Sequence, residues 1–490
     1  MNSETMPVIT TETRGTPKSP VASVPLGWRF SRWVTPLAVA LAVWIVPHGG
    51  YPPKTWGLLC IFAATIAGII TQPLPSGAIV LIGITAANLS GVLTIQQTLS
   101  GFGNSTVWLI VAAFVFARGF IQTGLGERIA YIFVEKFASG PLRLGYSLVM
   151  ADLVMAPVTA SNTARAGGVL FPVVQSIARV FDSHPGPTAG RIGAFLMLLV
   201  FHGDVVVSAM FLTSMAGNIL LAGLAAQAGV TVPWVTWMLA ALVPGAAALA
   251  LVPYAVFRLF PPELRETGPA RHFAAARLAE IGSLTARENR MLAVFALVLS
   301  LWITGTWHQI SATSVAFLGI ALLLIFQVLH WREVLEEKGA WDALIWFGGL
   351  VMLAEKLNEA GLTKAFAARA SLLVRGWAGV AALVLLLLIY FLAHYAFAGS
   401  TAYVTAIFPA FFAVAISCGA PPVLSALAFG FFTNISSGLT HYGTAPGVIY
   451  FGAGFVTQTQ WWKLGFILCS LQCLIWLALG LPWWKLIGLW

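Results

Sequence analysis

Apolar stretches about as long as a membrane is thick recur along this chain, and they constrain its fold more than any other feature. They follow one another from Trp33 to Trp490, and many approach the ~20 residues that a helix needs to span a bilayer. Only 9% of the residues are charged, against about 25% in soluble domains, so a water-facing surface cannot be built. The stretches do not alternate as outer-membrane barrel strands do. The chain is therefore predicted to be an all-α polytopic membrane protein.

The basic residues indicate how the chain is oriented in its membrane. The formal net charge is +9, and a dense basic segment covers 261–289. Cytoplasmic segments carry an excess of Lys and Arg, so we expect this segment inside, and the charge does not indicate nucleic-acid binding. The pattern then fits about eleven transmembrane helices and two re-entrant hairpins. The basic residues expected outside are Lys54, Lys356, Lys364, Arg369, Arg375 and Lys485.

The N-terminal segment and the cysteines indicate no further module. Residues 1–30 are polar and rich in Thr, Ser and Pro, and we expect a disordered cytoplasmic tail there because such a segment has little apolar surface to bury. The first transmembrane helix is predicted over 31–55. None of the four cysteines has zinc-site or disulfide spacing, so no metal and no cofactor are expected.

The chain contains two copies of one pattern. The segments that begin at Ser105 and at Asp342 each hold an apolar span that runs into Gln or Glu, then Gly-Leu, then an amphipathic stretch. The same offset places Leu170-Phe171-Pro172 on Ile407-Phe408-Pro409. An odd number of spans per copy inverts the second copy, and such repeats build carriers whose site lies between the copies.

The repeat divides the chain into two halves around a basic linker. We expect a first inverted repeat with an inner hairpin over 56–260 and a second, with an outer hairpin, over 290–490. The cytoplasmic linker between them is 261–289.

Polar, Gly-rich or Pro-rich segments interrupt the apolar pattern at membrane depth. They occur in the same order in the two copies, at 156–168, 211–218, 394–406 and 433–447. Non-helical backbone in a membrane is tolerated only where it is buried in protein or lines a cavity. Helices that begin at such breaks point free N–H groups and a positive dipole end into that cavity, which suits carboxylates. The alternative is that the small residues serve tight helix packing.

Several of these segments resemble motifs of one transporter family. Ser161-Asn162-Thr163 matches the Ser-Asn-Thr motif at a hairpin tip in the divalent anion:sodium symporter family. The segments HYAFAGSTAYVTAIFPAF and GLTHYGTAPGVIYFGAGF look like second-half motifs of its dicarboxylate exchanger branch, which includes the 2-oxoglutarate/malate, citrate/succinate and tartrate/succinate translocators. The resemblance covers nearly the whole chain after Trp33.

The resemblance implies a fold and a function. It implies a homodimer in the bacterial inner membrane, in contact with lipid, with a scaffold domain and an elevator-type transport domain in each protomer. The implied activity is sodium-independent antiport of C4 and C5 dicarboxylates such as 2-oxoglutarate, malate or succinate. The second tip departs from Ser-Asn-Thr. The expected substrate-binding residues are Ser161, Asn162, Thr163, Arg165, Asn218, Gly399, Ser400, Thr401, His441, Thr444 and Pro446.

Arg165 and His441 carry the mechanistic hypothesis. In the sodium-coupled members that this chain resembles, cations occupy the neighbourhood of both hairpin tips. We expect Arg165 and His441 to replace these cations as fixed charges, so that a bound dicarboxylate makes the site nearly neutral and an empty site keeps an uncompensated Arg165. Two structural alternatives remain: Arg165 pairs with Asp152, or His441 hydrogen-bonds a helix carbonyl. His202 and Asp204, just before the second break, either carry protons or satisfy nearby polar groups, and we favour the structural role. The same two roles are open for His394.

Other functions compete with exchange. The nearest is a sodium-coupled dicarboxylate symporter of the same family, and Arg165 argues against it. A channel needs a continuous polar pore, whereas the polar residues here cluster at one depth. An intramembrane enzyme is the third alternative, but neither His-Glu-x-x-His nor Gly-x-Ser-x-Gly occurs. We therefore expect a carrier and not an enzyme.

Overall fold

The computed structural model describes residues 26–46, 50–362 and 377–490, with side chains from residue 32 onward. Most of the predicted tail, together with Lys364, Arg369 and Arg375, lies outside the described residues. The described residues form helices and turns without a strand, which confirms the predicted all-α fold.

The first half consists of helices that pack side by side and one short, mostly exposed helix. Its helices are α1 (Leu26–Ile45), α2 (Pro53–Thr71), α3 (Ser76–Leu89), α4 (Ile95–Leu99), α5 (Ser105–Thr123), α6 (Leu125–Phe137), α7 (Pro141–Met155), α8 (Phe171–Val180), α9 (Gly193–Met210), α10 (Ala216–Gln227) and α11 (Trp234–Leu259). The linker forms α12 (Gly268–Ile281).

The second half repeats this order. Its helices are α13 (Ala286–Ile303), α14 (Gly305–His308), α15 (Ala312–Ile325), α16 (Trp331–Leu335), α17 (Lys338–Glu359), α18 (Gly379–Ala393), α19 (Ser400–Ser417), α20 (Pro422–Ser437), α21 (Ala445–Gly452), α22 (Gln458–Ala478) and α23 (Gly480–Leu486). Several element boundaries differ from the prediction: α1 is Leu26–Ile45 rather than 31–55, α2 begins before 56, at Pro53, and α13 begins before 290, at Ala286.

Helix length alone does not reproduce the predicted span count. Among the described residues, seven helices are long and apolar enough to cross a membrane, and five shorter apolar helices accompany them. Two of the seven, α18 and α19, are the arms of a hairpin. At the breaks the chain leaves helical geometry, so the short helix α10 follows α9 and the short helix α21 follows α20.

Two hairpins interrupt the helical bundle. In the first, α7 ends in a 3₁₀ turn at Ala156–Val158, and the returning arm begins as a π-helix at Thr163–Leu170 before α8. In the second, α18 ends in a 3₁₀ turn at His394–Ala396, and α19 returns. The first tip is buried at Ser161 and Asn162, whereas the second tip is partly exposed at Ala398 and Gly399. Irregular backbone at membrane depth is tolerated where it is buried in protein or lines a cavity.

The hairpins enter the bundle from opposite faces. At the base of the first, the Gly140 N–H donates to Thr267 Oγ1 of the linker at 2.7 Å. The start of α13 is joined to α16 on this face by the Arg287–Glu333 ion pair. The far end of α17 lies beside the end of α19 and is tied to α10, where Asn358 Nδ2 donates to the Gln227 carbonyl at 3.1 Å. This inverted arrangement brings the two tips together inside the bundle.

Candidate anion-binding site

A cavity of about 540 Å³ lies between the two hairpin tips. One side is built from the tips and the two helix breaks, and the other from the ends of α2, α5 and α17. The tip and break residues that line it are Ala160, Ser161, Asn162, Thr163, Ala164, Met215, Ala216, Gly217, Ala398, Gly399, Ser400, Thr401, Ala402, Thr444 and Ala445. All four polar breaks identified in the sequence therefore contribute to one cavity.

Several helices begin at this cavity. Ala216 is the first residue of α10, Ser400 of α19 and Ala445 of α21, while the π-helix begins at Thr163. The first turns of a helix carry N–H groups without intrahelical acceptors and the positive end of the helix dipole. The cavity thus presents N–H groups and hydroxyls to whatever occupies it, which is the chemistry of an anion site.

The first tip is joined to the second half of the chain. Ser161 Oγ accepts a hydrogen bond from the Ala164 N–H at 3.1 Å. Asn162 Nδ2 donates to Thr444 Oγ1 at 3.3 Å. The side chains of Ser161 and Asn162 therefore organise the tip and bridge it to the fourth break, and they also line the cavity.

The second tip depends on a glycine. Gly399 precedes α19 with φ +103° and ψ 140°, a region that side-chain-bearing residues rarely adopt. This conformation lets the chain turn directly into α19, so that Ser400 and Thr401 stand at the cavity. The departure of this tip from Ser-Asn-Thr is thus accompanied by a backbone turn that requires glycine.

Arg165 lies behind the first tip with every donor in use. Its Nε donates to Asp152 Oδ1 at 2.5 Å, and its Nη2 donates to Asp204 Oδ1 at 2.7 Å and to Ser208 Oγ at 3.0 Å. Its Nη1 donates to the carbonyls of Thr159 and Ser214 at 3.0 and 2.9 Å. These contacts use all five N–H groups of the guanidinium.

This geometry corrects the prediction for Arg165. The side chain is fully buried and does not line the cavity, and its charge faces two carboxylates. It therefore has no donor left for a substrate, and it is not an uncompensated charge in the empty site. The structural alternative, an ion pair with Asp152, is present, and Asp204, which was not predicted as a partner, is the second carboxylate. An acidic residue inside an apolar span was the available signal.

His441 is also directed away from the cavity, contrary to the predicted direct contact. Its Nδ1 accepts a hydrogen bond from Trp462 Nε1 at 3.1 Å, and its ring stacks on Phe451 with 4.3 Å between centroids. It is not among the residues that line the cavity. The alternative prediction was a hydrogen bond from His441 to a helix carbonyl. In the structure the partner of His441 is instead the indole N–H of Trp462.

Asn218 and Pro446 support the site from beneath its surface. Asn218 Nδ2 donates to the carbonyls of Ser208 and Phe211, at 2.8 and 3.0 Å, across the second break. Its Oδ1 accepts from Asn434 Nδ2 at 2.7 Å, which joins α10 to α20. Pro446 is buried in the first turn of α21. Neither lines the cavity, and Asn434 was not selected from the sequence although it is the second residue of the fourth polar segment.

The opposite wall carries charged residues that the sequence analysis did not select. Arg118, Glu337 and Asp342 line the cavity where α5 ends and α17 begins. Arg118 is held by Glu336 at 3.5 Å. Burial raises the pKa of Glu337, and the nearby Arg118 opposes that shift. An arginine inside a predicted span was the signal for Arg118.

The chain matches one family model along nearly its whole length. The model describes the sodium:sulfate symporter transmembrane region and covers residues 28–490. Among solved structures, the chain resembles the YdaH transporter of Alcanivorax borkumensis with a TM-score of 0.57 and 15% identity, over 82% of this chain and 90% of that one. At that identity the likeness concerns the fold alone.

Relatives with sequence similarity extend the match. The chain is 45% identical to the Bacillus subtilis protein named "Putative malate transporter YflS", over 93% of this chain and 96% of that one. It is 41% identical to the Arabidopsis thaliana protein "Dicarboxylate transporter 1, chloroplastic", over 97% and 86%. It is 35% identical to "Inner membrane protein YbhI" of Escherichia coli, over 93% and 97%.

Proposed function

Because this chain belongs to the divalent anion:sodium symporter family, we propose that it is a carrier that exchanges C4 and C5 dicarboxylates across a membrane without sodium. Candidate substrates are 2-oxoglutarate, malate, succinate and similar anions. The names of the relatives support a dicarboxylate as the cargo.

The convergence of helix starts on the cavity between the tips is the observation that carries this proposal. Ser161, Thr163, Ser400 and Thr401 offer hydroxyls there, and the first turns of α10, α19 and α21 offer N–H groups. Two groups of donors on opposite tips suit the two carboxylates of one small molecule. The hydrogen bonds stabilise the anion without a buried counter-charge at the substrate itself.

Arg165 supports independence from sodium at the first tip. Its Nη1 lies between the carbonyl oxygens of Thr159 and Ser214, which belong to the first two polar breaks. Carbonyl oxygens of unwound segments are the ligands that bind sodium in carriers of this kind. The guanidinium donates one N–H to each of these oxygens, takes the position between them and cannot leave with the substrate.

Exchange follows from the fixed helix dipoles rather than from Arg165. The empty cavity keeps several positive helix ends facing each other without an anion. Moving this arrangement through the low-dielectric barrier is costly, and a bound dicarboxylate lowers the cost. A carrier of this kind returns across the membrane with an anion bound.

Sodium symport is retained as the second candidate because of the second tip. Among the described residues 399–401 and 444–445 no basic side chain occurs, and His441 contacts Trp462 instead of the cavity. The second tip therefore lacks the fixed charge that was expected there, and a mobile cation would find room.

Counterflow in proteoliposomes distinguishes the two candidates. Vesicles preloaded with 2-oxoglutarate, and empty vesicles, receive labelled succinate in sodium chloride or choline chloride. We expect uptake into the loaded vesicles alone, at equal rates in the two salts. Uptake into empty vesicles that requires sodium would establish the symporter instead. Unlabelled di- and tricarboxylates added outside then rank the substrates.

The elevator movement, the inner membrane and the homodimer belong to the same proposal. The tips and breaks form the moving part, and α5 and α17 form the wall against which it moves. The basic linker 261–289 lies inside by the positive-inside rule. Mass photometry of the protein in lipid nanodiscs measures whether it is a dimer.

A further inference from the structure

The charges around Arg165 do not balance. One guanidinium contacts two carboxylates, Asp152 at 2.5 Å and Asp204 at 2.7 Å. All three side chains are about 99% buried. If both carboxylates were ionised, this cluster would carry one uncompensated negative charge in a site without water-exposed atoms. Such a charge is strongly unfavourable, and buried groups neutralise by binding or releasing a proton.

Each of the two carboxylates has one oxygen atom without a hydrogen-bond partner among the described residues. These atoms, Asp152 Oδ2 and Asp204 Oδ2, are both buried. The two carboxyl groups contact the same guanidinium, Asp152 through Nε and Asp204 through Nη2. Two ionised carboxylates only accept, so neither can satisfy the other. A single proton on one of them makes it a donor to the other.

The groups around the cluster offer no other charge. Arg165 comes from the π-helix, Asp152 from α7 and Asp204 from α9, while α21 contributes Tyr450, whose hydroxyl donates to the Ala166 carbonyl at 2.9 Å. His202 lies two residues before Asp204 on α9, and neither of its ring nitrogens has a partner in the described part of the chain. No second cation contacts Asp152 or Asp204 among the described residues.

A second buried pair in the same protein shows the contrast. Arg128 Nε and Nη2 donate to the two oxygens of Glu288, at 2.6 and 3.1 Å. There one cation meets one carboxylate, and both oxygens of Glu288 are bonded. In the cluster at Arg165, one guanidinium contacts two carboxylates instead of one.

We propose that the Asp152–Arg165–Asp204 cluster binds one proton, shared between the two carboxyl groups. The proton comes from hydronium, which leaves water behind, and it turns one carboxylate into a carboxylic acid. The cluster is then neutral, whether or not an anion occupies the cavity. The cluster therefore adds no net charge to that of the substrate and the helix ends. This goes beyond the proposed exchange and does not depend on it.

Infrared spectroscopy of the full chain in lipid at neutral pH tests this proposal. The spectrum of Asp204→Asn, and separately that of Asp152→Asn, is subtracted from that of the wild type. Either variant keeps one cation and one carboxylate, which need no proton. We expect each difference to contain the carbonyl band of a protonated carboxyl group, shifted when H₂O is replaced by D₂O. Absence of this band from both differences would overturn the proposal.

A matched control and a measurement without substitutions complete the test. Glu288→Gln removes a carboxylate from the balanced pair, so its difference spectrum should lack the protonated-carboxyl band. If the aspartate variants do not fold, the wild type is prepared with ¹³C-carboxyl aspartate. A protonated-carboxyl band that shifts with this label at neutral pH supports the proposal, and an unshifted spectrum in that region contradicts it. Because transport is not measured, failure here leaves the exchange proposal intact.

Discussion

At the residue scale, the site separates groups that face the substrate from a charge that organises them. Hydroxyls such as that of Thr401 line the cavity, whereas Arg165 binds Asp152, Asp204 and the carbonyls behind the first tip. A buried charge whose donors are all in use holds the surrounding backbone in one arrangement. Loss of Arg165 and loss of a cavity hydroxyl should therefore have different effects.

Substitution of Arg165 by methionine should destabilise the protein and abolish exchange together. The change leaves two buried carboxylates without their cation, which costs about 3–5 kcal/mol in comparable buried pairs. The measurement is thermal unfolding in detergent beside counterflow in proteoliposomes. The control is Arg191→Met, because Arg191 is part-exposed and 3.9 Å from Asp182. If the variant kept its thermal stability but lost exchange, the prediction would be contradicted, and Arg165 would have a direct role in binding substrate.

Substitution of Thr401 by valine should raise KM for dicarboxylate about five-fold, since a hydrogen bond contributes about 1 kcal/mol. The shape of the side chain is nearly kept, so stability should change little. Thr405→Val is the matched control one turn further along α19, because the Thr405 hydroxyl donates to the Thr401 carbonyl at 2.8 Å and not to the cavity. Equal KM values for the two variants would remove Thr401 from the site.

At the scale of the elements, breaks in helices and contacts between the copies build the cavity. The bond between Asn218 and Asn434 joins α10 to α20, and that between Asn162 and Thr444 joins the first tip to the fourth break. Each break leaves backbone groups that a neighbouring side chain satisfies. The first tip is therefore held by a partner from the other copy, while the second hairpin is bonded within its own copy through His394 and Tyr395. The backbone geometry of both tips matters as much as their side chains.

Substitution of Gly399 by alanine should displace the second tip and reduce exchange. An added Cβ would meet no atom within 4 Å, so the cost comes from the φ of +103° alone, about 1–3 kcal/mol. Gly452→Ala is the control, since that Cβ is equally free and the φ is ordinary. Both variants are compared by counterflow and by thermal unfolding. Equal behaviour of the two would show that the tip does not need this backbone conformation.

At the scale of the whole molecule, inverted copies place two tips from opposite faces at one cavity. The cavity continues to the face where α5 ends and α17 begins, which is the face of the basic linker. Alternating access then requires the tips to move relative to α5. The contact between the first hairpin and α5 is the place where such a movement can be blocked.

A cross-link between Ile121 on α5 and Gly168 on the first hairpin should stop exchange. A Cβ built on Gly168 lies 3.9 Å from Ile121 Cδ1, so cysteines at these positions face each other. The four native cysteines are first replaced by serine or alanine, and mercuric ion then bridges the introduced pair. We expect exchange to cease and to return after addition of a thiol, with the single-cysteine variants as controls. Full exchange by bridged protein would contradict movement of the hairpin along α5.

The order of elements was accessible from the sequence because the signals are local. A run of apolar residues, a polar break and a Gly-Leu turn act on the few residues around them, so the all-α fold could be predicted. The convergence of the four breaks on one cavity agrees with their paired order in the two copies. The boundaries of α1 and α13 were less well predicted, because helix starts depend on capping contacts such as that of Thr285 with Glu288.

The sequence by itself determined which residues are polar inside the membrane and in which order they occur. Only the tertiary structure decided what each of them contacts. Arg165 contacts Asp204, which lies 39 residues later in the sequence. Asn218 contacts Asn434, which lies 216 residues later. These partners depend on how each helix is rotated and how closely the copies pack, and both result from the sum of many weak contacts. Hydropathy contains no information on that rotation. The sequence therefore indicated Arg165 and offered Asp152 as its partner, but it did not indicate the contact with Asp204.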